Sequence, residues 1–220
     1  MRPGLLMKNT LELVPSEHEM NKILEQIVSN DKLHAKWLNV LSYLEFVGSR
    51  KIFKTQGKEL LNESVLRHAS DEARHALILK QLIEKLDLAG YDEYSNENML
   101  CSFSAYRYFQ SLDSIIKKNL TKENLSPLNR NSLCYLYVSH IIEIRANWLY
   151  RIYSTVLAEL NSKISIQTII NDEKKHLIET EELILKLDKN LQNRVTHFLT
   201  GENIIFNRFF KTLRSHLIQE

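Results

Sequence analysis

Glycine and proline are scarce in this 220-residue chain, with five Gly and three Pro. So few backbone breakers exclude a loop-rich or collagen-like fold, and each one becomes a boundary marker. Only two cysteines occur, Cys101 and Cys134, and they form no CxxC or other metal-ligating spacing. A disulfide framework has nothing to build on, and a reduced compartment is the expectation. No run approaches the ~20 uninterrupted apolar residues that cross a bilayer, and the start of the chain lacks the basic-then-apolar pattern of a signal peptide. The formal charge of +2 gives no strong nucleic-acid or membrane signal. These absences lead to the expectation of a cytoplasmic protein.

What is present is an ordinary globular composition, 44% apolar and 25% charged. The length suits one domain, taken as 1–220, with a continuous core. Apolar periodicity predicts an all-α chain without strands. Ser16 and Glu19 form a capping-box pattern that opens a short helix ending near Val28. A second helix starts near Asn30 or Asp31, carries Trp37, Leu41, Leu44, Glu45 and Ile52, and stops at Gly57. A third spans about 58–88 and stops at Gly90. The crossover, 91–128, is less regular and holds a helix over 102–120. Pro127 breaks the chain before a helix over 129–160, and another covers 164–187. The last segment, 191–218, is interrupted at Gly201. The core is thus two helix pairs, about 31–88 and 129–188, and short loops make each pair antiparallel.

Asp-Glu-x-x-His occurs twice, as Asp71-Glu72-Ala73-Arg74-His75 and Asp172-Glu173-Lys174-Lys175-His176. Composition alone predicts about 0.02 such pentapeptides. Each copy follows a lone helical glutamate, Glu45 27 positions before Glu72 and Glu143 30 positions before Glu173. A helix turns about 100° per residue, so residues three and four apart share a face. Leu61, Ser64, His68, Leu79, Leu82 and Leu86 share the first arc. Ser165, Ile169, Leu183 and Leu187 share the second. Both stripes are apolar except at one level, where acids and histidines gather. A buried carboxylate without a partner costs several kcal/mol, and two divalent cations would compensate four of them. Solvated glutamates and core histidines are the ordinary alternative, but two framed copies on matched helices outweigh it.

This frame resembles the ferritin-like di-iron carboxylate superfamily, in which two helices give one Glu each and two give Glu-x-x-His. The resemblance covers about 31–88 and 129–188. It implies an all-α, ferritin-like four-helix bundle with a crossover connection and additional N- and C-terminal helices. It also implies a pair of iron ions, with Mn/Fe or Mn/Mn open. Glu45, Glu72 and His75 would serve one half of the site, and Glu143, Glu173 and His176 the other. Glu72 and Glu173 would bridge, with Glu45 and Glu143 terminal. Asp71 and Asp172 are expected to accept the outer N–H of the histidine on the opposite helix, with a solvated flank as the alternative. His68 and His140 are each an extra ligand, a proton relay or a hydrogen-bonded core residue.

The activity the resemblance implies is an O2-dependent non-haem di-iron oxidase or oxygenase acting on a small organic substrate. An external electron donor such as a ferredoxin or reductase would accompany it. Ferroxidase and iron storage, or a helical scaffold around a structural dimetal site, are the alternatives. The CxxC iron module usual in rubrerythrins is missing. Gly48, one turn from Glu45, leaves room for O2 or substrate or else lets helices pack closely. Tyr106, Tyr108 and their neighbours over 103–109 wall a substrate channel or fill the core. The apolar stripe over 203–217 has three uses, to cover the bundle, form a homodimer or touch a membrane, and covering is the commonest.

Overall fold

The computed structural model describes residues 13–55 and 62–219. Among them are seven helices and no strand: α1 Glu17–Val28, α2 Asp31–Thr55, α3 Glu63–Glu84, α4 Ser102–Thr121, α5 Pro127–Glu159, α6 Gln167–Leu187 and α7 Leu191–Gln219. None is long and apolar enough to cross a membrane.

Local chemistry sets most starts. The Ser16 side chain accepts from the Glu19 backbone while the Glu19 carboxylate accepts from the Ser16 N–H, closing the capping box of α1. Asn30 Oδ1 accepts from the N–H groups of Lys32 and Leu33 at the start of α2, and Asn62 caps α3 through Val65 N–H.

Several predicted boundaries move. The stop at Gly57 and the start near 58 lie outside the described residues. α3 ends at Glu84, short of Gly90, and the chain leaves through Asp87 at φ 57° and Gly90 at φ 91°. Pro127 begins α5, since its missing N–H is one of the donors a first turn leaves unpaired, and Ser126 caps it. α6 starts at Gln167, three residues later than expected. α7 runs unbroken through Gly201, where the helix lies against Ile115 of α4 and an added Cβ would sit 3.6 Å from it. Packing outweighs the ~1 kcal/mol that a mid-helix glycine costs.

Serine hydroxyls register the first pair. Ser42 Oγ donates to Ala76 O at 2.7 Å and Ser49 Oγ to Ala69 O at 2.8 Å, so α2 and α3 run antiparallel. Tyr137 reaches Asp188 and His140 reaches Thr180, which sets α5 antiparallel to α6. α3 faces α6, and α2 faces α5. On the outside, α4 and α7 pack together against α5, burying Phe206, Phe209, Phe210 and Leu213, so the C-terminal stripe covers the bundle.

Candidate metal centre

Glu45 on α2, Glu72 on α3, Glu143 on α5 and Glu173 on α6 are all buried, as are His75 and His176 one turn beyond the glutamates of α3 and α6. Single ligand atoms of Glu45, Glu72, His75 and Glu173 lie within 4.8 Å of one another, and a second group of this kind joins Glu72 to His68 and His176.

Both histidines turn Nδ1 inward. That of His75 lies 3.2 Å from Glu173 Oε1, 3.9 Å from Glu72 Oε2 and 4.0 Å from Glu45 Oε2. That of His176 lies 3.5 Å from Glu72 Oε1 and 4.0 Å from Glu173 Oε1. Glu72 and Glu173 therefore each face both imidazoles. The outward Nε2 atoms meet aspartates of the opposite helix, His75 with Asp172 at 3.5 Å and His176 with Asp71 at 3.2 Å. Arg74 clasps both aspartates, at 2.7 Å from Asp71 and 2.9 Å from Asp172. Partial burial opposes ionisation of Asp172, yet Arg74, Lys175 and His75 outweigh it and hold its carboxyl at about 2. Asp71 is held low in the same way, chiefly by Arg74 against the opposing effect of burial. An ionised acceptor beyond each ring keeps a proton on Nε2, so the proton that leaves first is on Nδ1.

The carboxylates crowd one another. Burial, then the charge of Glu72, pushes Glu45 well above the usual range, and the same two causes raise Glu173 to about 7. Burial also opposes ionisation of Glu72, but His176 and His68 outweigh it and hold that carboxyl well below the usual range. Burial disfavours the imidazolium of His176, and the Glu72 carboxylate overrides this to raise it to about 9.

Four inward atoms, His75 Nδ1, His176 Nδ1, Glu143 Oε1 and Glu173 Oε1, are buried without a well-formed hydrogen bond among the described residues, their nearest polar neighbours being ionic contacts within the cluster at 3.2–3.5 Å. Nearly all buried polar atoms make one, so four poorly bonded atoms in one cluster suit a cation as partner. Fully ionised, the four carboxylates would carry −4, which two divalent cations would neutralise. Oxygen and imidazole donors suit iron or manganese and do not distinguish them. The residues fit metal ions, and the cluster can hold them.

The layout is less even than the sequence suggests. Glu143 joins neither ligand group. Its Oε1 lies 3.2 Å from His68 Nε2, which also contacts Glu72 Oε1 at 2.9 Å. His68 Nδ1 pairs with the Tyr135 hydroxyl at 2.8 Å. Burial disfavours its charge, but Glu143 and Glu72 raise His68 well above the usual range, so its Nε2 faces two carboxylates that favour a proton there. His140 stays one step out. Thr180 donates to Glu143 Oε2 at 2.9 Å, and His140 Nδ1 meets the same hydroxyl at 3.0 Å.

Four contributors escape sequence reasoning: Arg74, Tyr135, Tyr150 and Thr180. Tyr150 donates to Glu45 Oε1 and lies seven positions after Glu143, two turns along the same face. Thr180 lies one turn after His176. Spacing could have flagged both, whereas Arg74 looks like any solvated residue inside the motif.

A cavity of about 90 Å³ adjoins the cluster, bounded by Glu45, Glu72, Glu143 and Glu173 on one side and by Leu41, Ile52 and Leu149 elsewhere. One water needs ~10–15 Å³ by a comparable measure, so several heavy atoms fit. Gly48 lines this space, and a Cβ there would meet only Glu72 Oε2, at 4.0 Å. Close helix packing is therefore not its reason. Tyr108 and Phe109 line the cavity from α4, while Phe103 and Tyr106 face solvent at 67% and 46% exposure. No protein family, curated protein or solved structure matches the chain.

Proposed function

We propose that the chain is a ferritin-like dimetal carboxylate oxidoreductase that activates O2 to oxidise or oxygenate a small organic substrate. The observation that carries this reading is the convergence of Glu45, Glu72, Glu173, His75 and His176, with four buried atoms in the cluster that make no well-formed hydrogen bond among the described residues. The antiparallel pairs α2/α3 and α5/α6, joined by a long connection, support the bundle type. A pair of ferrous ions, or a manganese-containing pair, would supply the electrons that reduce O2.

Glu45, Glu72, Glu173, His75 and His176 would hold the pair, with Glu143 and His68 beside it. The chain's own groups shape the site. Asp71 and Asp172 orient the imidazoles, with Arg74 fixing both acids. Tyr150 holds Glu45, and Thr180 holds Glu143. The apolar cavity admits a small molecule and limits water, which favours an organic substrate over iron itself as the species oxidised. An external reductase or ferredoxin would restore the reduced site.

The test is an anaerobic Fe(II) titration followed by admission of O2, counting irons retained and O2 consumed. Saturation near two irons with an optical transient is the expected result. Uptake of many irons would assign the chain to storage, and failure to take up iron or manganese would overturn the metal reading. Glu72→Ala and His176→Ala should each abolish binding of the pair while preserving helical content. Normal O2 consumption at normal stoichiometry in either variant would refute the ligand assignment.

A further inference from the structure

The carboxylates are not the cavity's only polar lining. Arg145 of α5 and Tyr108 of α4 line it, together with Phe206 of α7. Arg145 is 3% exposed and Glu202 is fully buried. One edge of the guanidinium is saturated: Nε donates to Glu202 Oε1 at 2.8 Å, and Nη2 donates to Glu202 Oε2 at 2.6 Å and to Asn203 Oδ1 at 2.7 Å. Tyr108 donates a further bond to Glu202 Oε1 at 2.9 Å. The guanidinium carbon lies 4.1 Å from the Phe206 ring centroid and 4.9 Å from that of Trp148, so two aromatic rings hold it in place. Nη1, on the edge turned away from Glu202, is buried without a hydrogen-bond partner among the described residues. A donor this immobile with open N–H bonds costs free energy unless an acceptor reaches it.

Charge decides what the acceptor is. Arg145 is already balanced by Glu202 in a bidentate pair, so an incoming carboxylate would be an uncompensated buried anion. A neutral oxygen requires no counter-charge and still satisfies Nη1. We propose that Arg145 Nη1 anchors the substrate through an uncharged carbonyl-type oxygen, so that the cavity takes small, mostly apolar, neutral ketones, aldehydes or amides. Its role as substrate recognition rests on the oxidoreductase reading, while the binding itself does not. Glu202 and Asn203 position the arginine, and the apolar walls take the remainder of the molecule.

Trp148 lies against Arg145 and is one of two tryptophans in the chain, which makes its indole N–H a local reporter. The experiment titrates the metal-free full-length chain with cyclohexanone, cyclohexanecarboxylate and methylcyclohexane. Indole signals are followed by ¹H–¹⁵N spectroscopy and assigned with Trp148→Phe. Cyclohexanone should shift the Trp148 signal saturably and bind about tenfold more tightly than either other probe. The double variant Arg145→Met/Glu202→Gln, which leaves neither charge buried alone, should lose about the same factor for the ketone. Equal or tighter binding of the carboxylate, no saturable Trp148 shift, or undiminished affinity in the double variant would each overturn the proposal. Should that variant fail to fold, the wild-type comparison still decides, because equal affinity for ketone and hydrocarbon removes any role for Nη1. Metal counting is independent of these titrations, so the two readings fail separately.

Discussion

Raising the pH of the metal-free protein from 7 to 9 should destabilise it, and metal loading should reverse that trend. Glu173 is raised from 4.5 to about 7 in the folded state, foremost by burial. A carboxyl with a raised folded pKa favours folding at low pH, and that contribution is lost as pH climbs from 4.5 through 7. At about 1.4 kcal/mol per tenfold change in proton affinity, the loss is about 3 kcal/mol. Glu45 is shifted in the same direction. His176 is raised from 6.5 to about 9, so its contribution is complete below 6.5 and disappears as pH rises through 9. His75 is also raised, its carboxylate neighbours outweighing burial, and it adds to the same loss. Glu72 is depressed, so its contribution is present throughout this range and disappears only on acidification. From pH 7 to 9 the effects therefore share a sign, and His176 alone loses about 3 kcal/mol. Between pH 5 and 6.5, by contrast, His34, lowered by burial to about 4, and His140, also lowered by burial, add an opposite, stabilising trend. A loss of about 3 kcal/mol corresponds to a fall of about 6–12 °C in Tm for a chain of this size. The assay is thermal unfolding by circular dichroism of chelator-stripped protein at pH 5, 7 and 9, repeated with Mn(II). Bound cations need the deprotonated ligands, so the Mn(II)-dependent gain in Tm should grow with pH. A metal-free Tm that is flat or rises between pH 7 and 9 would refute the electrostatic argument, and a fall unaffected by Mn(II) would refute the metal site.

Three substitutions probe the surroundings of the cluster. Gly48→Ala adds a methyl group whose nearest neighbour is Glu72 Oε2 at 4.0 Å. It should stabilise α2 by about 0.5–1 kcal/mol in a thermal melt and keep the metal stoichiometry, and destabilisation would show that the space beside Glu72 is needed for folding. Asp71→Asn leaves His176 Nε2 without an ionised acceptor at 3.2 Å and should weaken Mn(II) affinity about 10–100-fold by titration; unchanged affinity would refute the orienting role. His140→Ala removes the 3.0 Å contact to Thr180 beyond Glu143 and should retain two metals while slowing O2 consumption, whereas loss of one metal would place His140 among the ligands.

The sequence by itself determines which residues share a helical face, because 100° per residue is a property of one chain segment and needs no partner. That periodicity is enough to place Glu72 with His75 and Glu173 with His176, and to show both stripes interrupted at one polar level. Capping chemistry at Ser16 and Asn30 is equally local. Pro127 and Gly201 misled on boundaries because a proline can open a helix as well as end one, and because packing on Ile115 supports a glycine within α7. Only the tertiary structure decides distances between helices, since these depend on how each helix is rotated and offset against its neighbours. It sets His68 between Glu72 and Glu143, clasps Asp71 and Asp172 with Arg74, and holds Glu45 with Tyr150, 105 positions away. It also joins Arg145 to Glu202 across 57 positions and brings Arg145 to the same cavity as the glutamates. Pairing at such separations has no period in the sequence, because the enclosed chain length does not constrain which faces meet.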